Sequence, residues 1–273
     1  MDWAYRTLDW IEENMRTPIC EGFENTFPIE SGFRHQNPHM HLLEAFLALY
    51  ETSGEPRFAE GAHAVLDLFR RRMFDPETGT IAEFYNLDWL RLPTAQGRRL
   101  EPGHHFEWVW LLAEANDLLG ENTAPEMSAL YQFALEHGTH SEIGWVIDAV
   151  DVTGVPLEKC GRVWPQTEAI KAHSRMWRRG GEQANLEAAR LINMLLTHHL
   201  ARLPSGTWNE HLTPDGRPVS DKIPTTTLYH IVAALREIKR AVGRPNALAG
   251  LPQTARPGQE DAPSNIEVRG GAV

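Results

Sequence analysis

The chain has 273 residues, 42% hydrophobic and 23% charged, the balance of a globular protein with a substantial core in one large domain or two small ones. Its 37 acidic residues against 26 basic leave a net charge of -11, which gives no general attraction to phosphate backbones and argues against a nucleic-acid partner. No apolar run nears the roughly 20 residues that cross a bilayer, and residues 1–16 lack the layout of a signal peptide. Two cysteines, Cys20 and Cys160, make neither a disulfide framework nor a thiolate zinc site, so the expected compartment is the reducing cytoplasm.

Apolar residues at three- and four-residue spacing predict amphipathic helices, in chain order, over 2–16, 38–53, 56–72, 102–119, 124–138, 165–179, 183–201 and 224–242. Leu42, Leu43, Phe46, Leu47 and Leu49 mark one such stripe, and Leu186, Ala189, Leu191, Ile192 and Leu195 another. Strand-like patches at 79–87 and 144–150 are short and lie between helices. The connections alternate. Three are tight turns at Ser53-Gly54-Glu55, Gly120-Glu121-Asn122 and Gly180-Gly181-Glu182, whereas 17–37, 73–101, 139–164 and 202–223 are long, as functional loops are.

Each long loop runs into a proline that opens the next helix, Pro38, Pro102, Pro165 and Pro224, a residue favoured in the first helical turn because its missing N–H has no partner there anyway. DVTGVP (151–156) and PDGRP (214–218) predict β-hairpins shortly before the third and fourth of these helices. The pattern is four copies of one unit with a period of about 60 residues. Stacked in sequence, such units make an all-α toroid of helical hairpins, four of the six that an (α/α)6 barrel holds. Its long loops gather at one end, towards which the inner helices point their N-termini. We expect residues 1–243 to form this domain and 244–273, rich in proline, glycine and polar residues, to be a disordered tail.

The first turns of the inner helices collect residues suited to acid–base chemistry: Asn37, His41 and Glu44; His104, His105 and Glu107; Trp164, Gln166 and Glu168; Tyr229 and His230. His104 and Glu107, three apart, share a helix face, which suits a carboxylate orienting an imidazole; Asn37 and His41, four apart, share one too. His39 and His41 point about 200° apart, so they are not a ligand pair, and a catalytic metal is the less favoured reading. Helix N-termini nearby are expected to favour neutral imidazole. His137, His140, His198 and His199 fall outside the proline-started ends and are set aside. Trp164 and Trp208 are weak candidates for stacking on a sugar, the aromatic residues otherwise belonging to the core. No phosphate loop, Gly-x-Ser-x-Gly elbow or dinucleotide fingerprint occurs, so neither a nucleotide cofactor nor a serine nucleophile is expected.

Four blocks, RHQNPHMHLLEA (34–45), GHHFEW (103–108), WPQTEAI (164–170) and SDKIPTTTLYH (220–230), resemble in this order the N-acylglucosamine 2-epimerase superfamily, in particular its bacterial mannose-type aldose–ketose isomerases. The resemblance implies an (α/α)6 barrel that acts on a monosaccharide without a cofactor, moving a proton between C2 and C1, or between the two faces of C2, through an enediolate. It implies His104 and His230 as the acid–base pair and Glu107 as the residue orienting His104. His41 and Asn37 would bind substrate or assist ring opening, and Trp164, Gln166 and Glu168 would line the pocket wall. Members of the superfamily have further N-terminal helices, two barrel pairs, and with them an arginine for the substrate oxygens that no residue here matches. The first and last helices are therefore expected to expose apolar flanks and to favour a homo-oligomer. Two other readings stand beside the isomerase: a sugar- or protein-binding module that does not turn over, and a glycoside hydrolase, which needs two suitably spaced carboxyl groups.

Overall fold

The computed structural model describes residues 1–17, 21–29, 32–201 and 203–243. The tail expected at 244–273 lies outside these residues, as does Cys20.

The periodic segments become α1 (Asp2–Asn14), α2 (Asn37–Ser53), α3 (Pro56–Leu68), α5 (Pro102–Leu119), α6 (Ala124–His137), α7 (Val163–Arg178), α8 (Glu182–Met194) and α9 (Thr226–Val242), with a single extra turn, α4 (Ala95–Arg98), inside a long loop. Gly54, Gly120 and Gly180 stand at φ of 70°, 72° and 97°, the left-handed region where a side chain is strained, and each lets the chain reverse from one helix into its hairpin partner. Helices α3 and α8 do not run on as α-helix to the end of their apolar stripes; they close in π-helical turns at Phe69–Met73 and Leu195–Leu200.

The proline signal holds less tightly than its spacing suggests. Pro38 and Pro102 sit in the first two positions of α2 and α5. Helix α7, however, starts at Val163, ahead of Pro165, and Pro224 precedes Thr225, the N-cap of α9. Pro56 and Pro125 open α3 and α6 in the same way. Proline suits any first turn, so it marks where helices begin and not which helices face inward.

Helices α2, α5, α7 and α9 form an inner row, α5 lying between α2 and α7 and α7 between α5 and α9; α3, α6 and α8 pack outside α2, α5 and α7. The two central inner helices are buried along nearly their whole length, from Pro102 to Ala115 in α5 and from Val163 to Arg175 in α7. This is an incomplete (α/α)6 toroid. Its core is anchored by Trp108, fully buried, stacked on Phe69 at 4.3 Å and donating its indole N–H to Gln36 Oε1 at 2.8 Å. The two ends of the inner row meet: Glu51 of α2 receives Arg236 and Arg240 of α9 at 3.0 and 3.1 Å. The expected apolar flanks are there: Trp3 on α1 and Leu228, Val232 and Leu235 on α9 are exposed.

Short antiparallel strands stitch the long loops. Two pairs are local hairpins, β2 (Phe74–Asp75) with β3 (Thr80–Ile81) and β5 (Ala149–Val150) with β6 (Pro156–Glu158). The others join different loops, β1 (Arg34–His35) with β4 (Phe84–Tyr85) and β7 (Gly161–Arg162) with β8 (His211–Leu212), and a Leu100–Val150 bridge joins the middle loops. The four long loops thus form one cap over the N-terminal ends of the inner helices. No helix among the described residues is long and apolar enough to cross a membrane.

Candidate active site

Beneath this cap the inner helices bring His41, His104 and His230 together around Trp164. The indole of Trp164 lies 4.8 Å from the ring of His104 and 5.8 Å from that of His230, and the rings of His41 and His230 are 6.5 Å apart. The Asn37 amide stands 3.2 Å from His104 Nε2. Tyr229 stacks beside His230 at 3.9 Å, and its hydroxyl reaches His41 Nδ1 at 3.4 Å.

Two of these imidazoles are backed by carboxylates. His104 Nδ1 meets Glu83 Oε2 at 2.8 Å, and Glu83 in turn accepts the Gln36 amide at 3.0 Å and the Glu101 backbone N–H at 3.2 Å. Burial alone would strip the charge from His104, but the Glu83 carboxylate outweighs it and pushes the imidazole up to about 9. This overturns the expectation of neutral imidazole at the rim, since the field of a contacting carboxylate exceeds that of a helix end. It also corrects the role expected of Glu107: the residue that orients His104 is Glu83. Glu83, missed in the sequence analysis, sits in the long loop, in the stretch Ile81-Ala82-Glu83 that is buried throughout; an acid embedded in an apolar patch is the signal that could have found it.

His230 Nδ1 meets Glu168 Oε1 at 2.6 Å, so Glu168, expected in the pocket wall, backs a histidine instead. The other oxygen of Glu168 pairs with the ammonium of Lys171 at 2.6 Å, both side chains fully buried, and Lys171 Nζ lies 3.6 Å from the centre of the Trp110 ring. With Nδ1 of each imidazole on a carboxylate, Nε2 is the end that can serve a substrate, and at His104 it already meets the Asn37 amide.

Glu107 shares the face of His104 as expected but turns elsewhere. It is fully buried, its carboxyl oxygens make no hydrogen bond among the described residues, and Oε1 lies 3.8 Å from His41 Nδ1. Burial, reinforced by the charge of Glu168, holds its carboxyl well above the usual range. His41 itself, half exposed, also meets Glu44 at 3.3 Å.

Gln166 does not line a pocket. It is fully buried, accepts the Val146 N–H at 2.7 Å and donates to the carbonyls of Val146 and Arg162 at 2.8 and 2.9 Å, bracing the loop ahead of α7. His105 is likewise structural, held by the Glu101 carbonyl at 3.0 Å and stacked on Phe133; burial drives it down to about 4. Trp208 spends its indole N–H on Glu210 at 2.6 Å.

Ligand-type atoms of His41, Glu44 and Glu107, and of Glu107, Glu168 and His230, approach within 4.8 Å of one another. In the second group Glu168 already stands against the ammonium of Lys171 and the imidazole of His230, and in the first Glu44 stands against that of His41.

Residues 1–234 match the family model of N-acylglucosamine 2-epimerase (GlcNAc 2-epimerase). The chain is 32% identical over 244 residues to a mannose-6-phosphate isomerase of Rhizobium meliloti (strain 1021), covering 86% of this chain and 62% of that one. It is 26% identical over 255 residues to a D-mannose isomerase of Pseudomonas cannabina pv. alisalensis, covering 85% and 61%. The chain therefore spans about three fifths of the length of these relatives. Among solved structures, a D-mannose isomerase superposes with a TM-score of 0.75 at 18% identity, covering 88% of this chain and 66% of that one. A GH76 α-mannanase of Bacteroides thetaiotaomicron superposes with a TM-score of 0.68 at 11% identity over 89% of this chain and 64% of that one, so the toroid is shared by different chemistries and does not by itself choose among them. The match over 1–234, together with the Rhizobium relative, shows that the chain belongs to the N-acylglucosamine 2-epimerase family, whose named relatives include sugar isomerases and epimerases.

Proposed function

We propose that this site interconverts an aldose and a ketose, or C2 epimers, by proton transfer between its two imidazole–carboxylate pairs. The observation that carries the reading is the placement of His104 and His230 on one indole plate, each with a carboxylate on Nδ1. In the open-chain aldose, His230 Nε2 removes the C2 proton while the imidazolium of His104 protonates the C1 carbonyl oxygen, giving an enediol. When the neutral His104 takes the O2 proton and His230 returns its proton to C1, the ketose forms; when the O1 proton goes back to His104 instead and a proton reaches the opposite face of C2, the epimer forms. Charge developing on the sugar oxygen meets a histidine already held as imidazolium, the placement that lowers such a barrier most. Asn37, beside His104 Nε2, and His41, beside the Glu107 carboxyl, are placed to bind hydroxyl groups or open the ring.

The test is incubation with mannose, mannose 6-phosphate, glucose or N-acetylmannosamine in deuterated water, followed by NMR. Product bearing deuterium at C1 or C2 is expected, and its loss in His104→Ala and in His230→Ala. Folded protein that turns over none of these sugars would sink the proposal. Sugar binding by calorimetry without turnover would favour the second reading, a binding module.

A further inference from the structure

Resting on that acid–base reading, we propose that Lys171 is a positioning residue that makes the two imidazole–carboxylate pairs unequal, reserving His230 for the base and His104 for the acid. The pairs match in outline but not in what stands behind them. Glu83 is held by neutral donors, the Gln36 amide and a backbone N–H. Glu168 is held by a full positive charge: Lys171 lies one helical turn deeper on α7, on the same face, and takes the oxygen that His230 does not use. A carboxylate divided between an ammonium and an imidazole offers the imidazole less field than one held by neutral groups.

The surroundings of the His230–Glu168 pair agree. It faces Lys171 on its own side, Glu107 from α5, Glu44 and His41 from α2, and Tyr229 from α9. Although burial opposes the charge of Lys171, Glu168 foremost, and behind it Glu107 and Glu44, hold its ammonium above the usual lysine range. Lys171 is fully buried and pairs with the carboxylate that holds His230, so it acts on the reaction by way of another group.

Lys171→Met keeps the length and removes the charge. The His230–Glu168 pair must then bind its proton more tightly, whichever partner carries it. The acid limb of the kcat–pH profile is expected to move to higher pH by about one unit or more, with KM changed less than about threefold. Lys171→Arg, which restores the charge, is expected to return the limb towards the wild-type position. An unshifted limb, or a shift to lower pH, would overturn the proposal. If Lys171→Met does not fold, Lys171→Gln is read in the same way. The imidazole of His230 followed by 15N NMR gives the same answer without turnover. A wild-type protein inactive on every sugar would therefore sink the proposed function and still leave the role of Lys171 open to this measurement.

Discussion

Replacing Glu83 with glutamine isolates the strongest electrostatic statement the site makes. His104, nearly inaccessible, is lifted from an ordinary value of 6.5 to about 9 by its contact with Glu83, and at 1.36 kcal/mol per pH unit this interaction is worth about 3 kcal/mol to the folded state. The sign follows from the direction. A histidine raised on folding adds stability that is complete below its unfolded pKa and disappears as the pH climbs through the folded one. Glu83 itself is held below 4.5 in spite of its burial, mainly by His104, so the window runs from about pH 4.5 to 6.5 at full strength and closes towards pH 9. Urea unfolding of wild type and Glu83→Gln at pH 6 and pH 10 measures it. The variant is expected to lose about 3 kcal/mol more at pH 6 than at pH 10, where only the pH-independent bonds to Gln36 and the Glu101 N–H still count. With its imidazolium gone at neutral pH, the variant is also expected to lose about 10²–10⁴ in kcat. A stability gap equal at both pH values, or a wild-type His104 that titrates at or below 6.5 by NMR, would refute the reasoning.

Glu107→Gln is expected to act in the opposite sense: a carboxyl raised on folding costs stability as the pH rises above its unfolded value, so the variant should gain on wild type by up to about 1.4 kcal/mol per pH unit from pH 5 upward, read as a widening Tm difference. A constant difference across that range would show that Glu107 is ionised. Gln166→Ala should cost about 3 kcal/mol by leaving buried backbone groups of Val146 and Arg162 unpaired, with KM for the sugar unchanged; a raised KM with stability intact would return Gln166 to the pocket wall. Trp108→Ala should cost about 3–5 kcal/mol in chemical denaturation, since it empties a fully buried site and strands Gln36, and a loss under 1 kcal/mol would contradict the packing described.

What could be read in advance follows from range. Helices write themselves in residues three and four apart, and the alternation of tight and long connections is equally local, so the toroid of hairpins and the rim holding His41, His104 and His230 are legible without coordinates. Contacts between separate units are not. Sharing a helix face with His104 placed Glu107 on the correct side of α5, yet within that face it turns to the interior, and the partner of His104 comes from a loop some 20 residues earlier in the chain. Glu168 is joined to His230 and Asn37 to His104 across helices, at separations that no periodicity encodes. The two-residue strands between loops escape notice for the same reason, being too short to show an alternation. Gln166 failed differently: a polar residue at the rim reads as a ligand contact when a backbone brace uses the same side chain.

The indole at position 164 has a genetic consequence. Because one flat ring lies beside both histidines proposed to move the proton, neither can be retuned through it alone, and a substitution there is expected to disturb both in the same stroke. A mutational scan of this protein would find position 164 behaving as a shared hinge of the two phenotypes that changes at His104 and His230 produce separately, whatever the sugar.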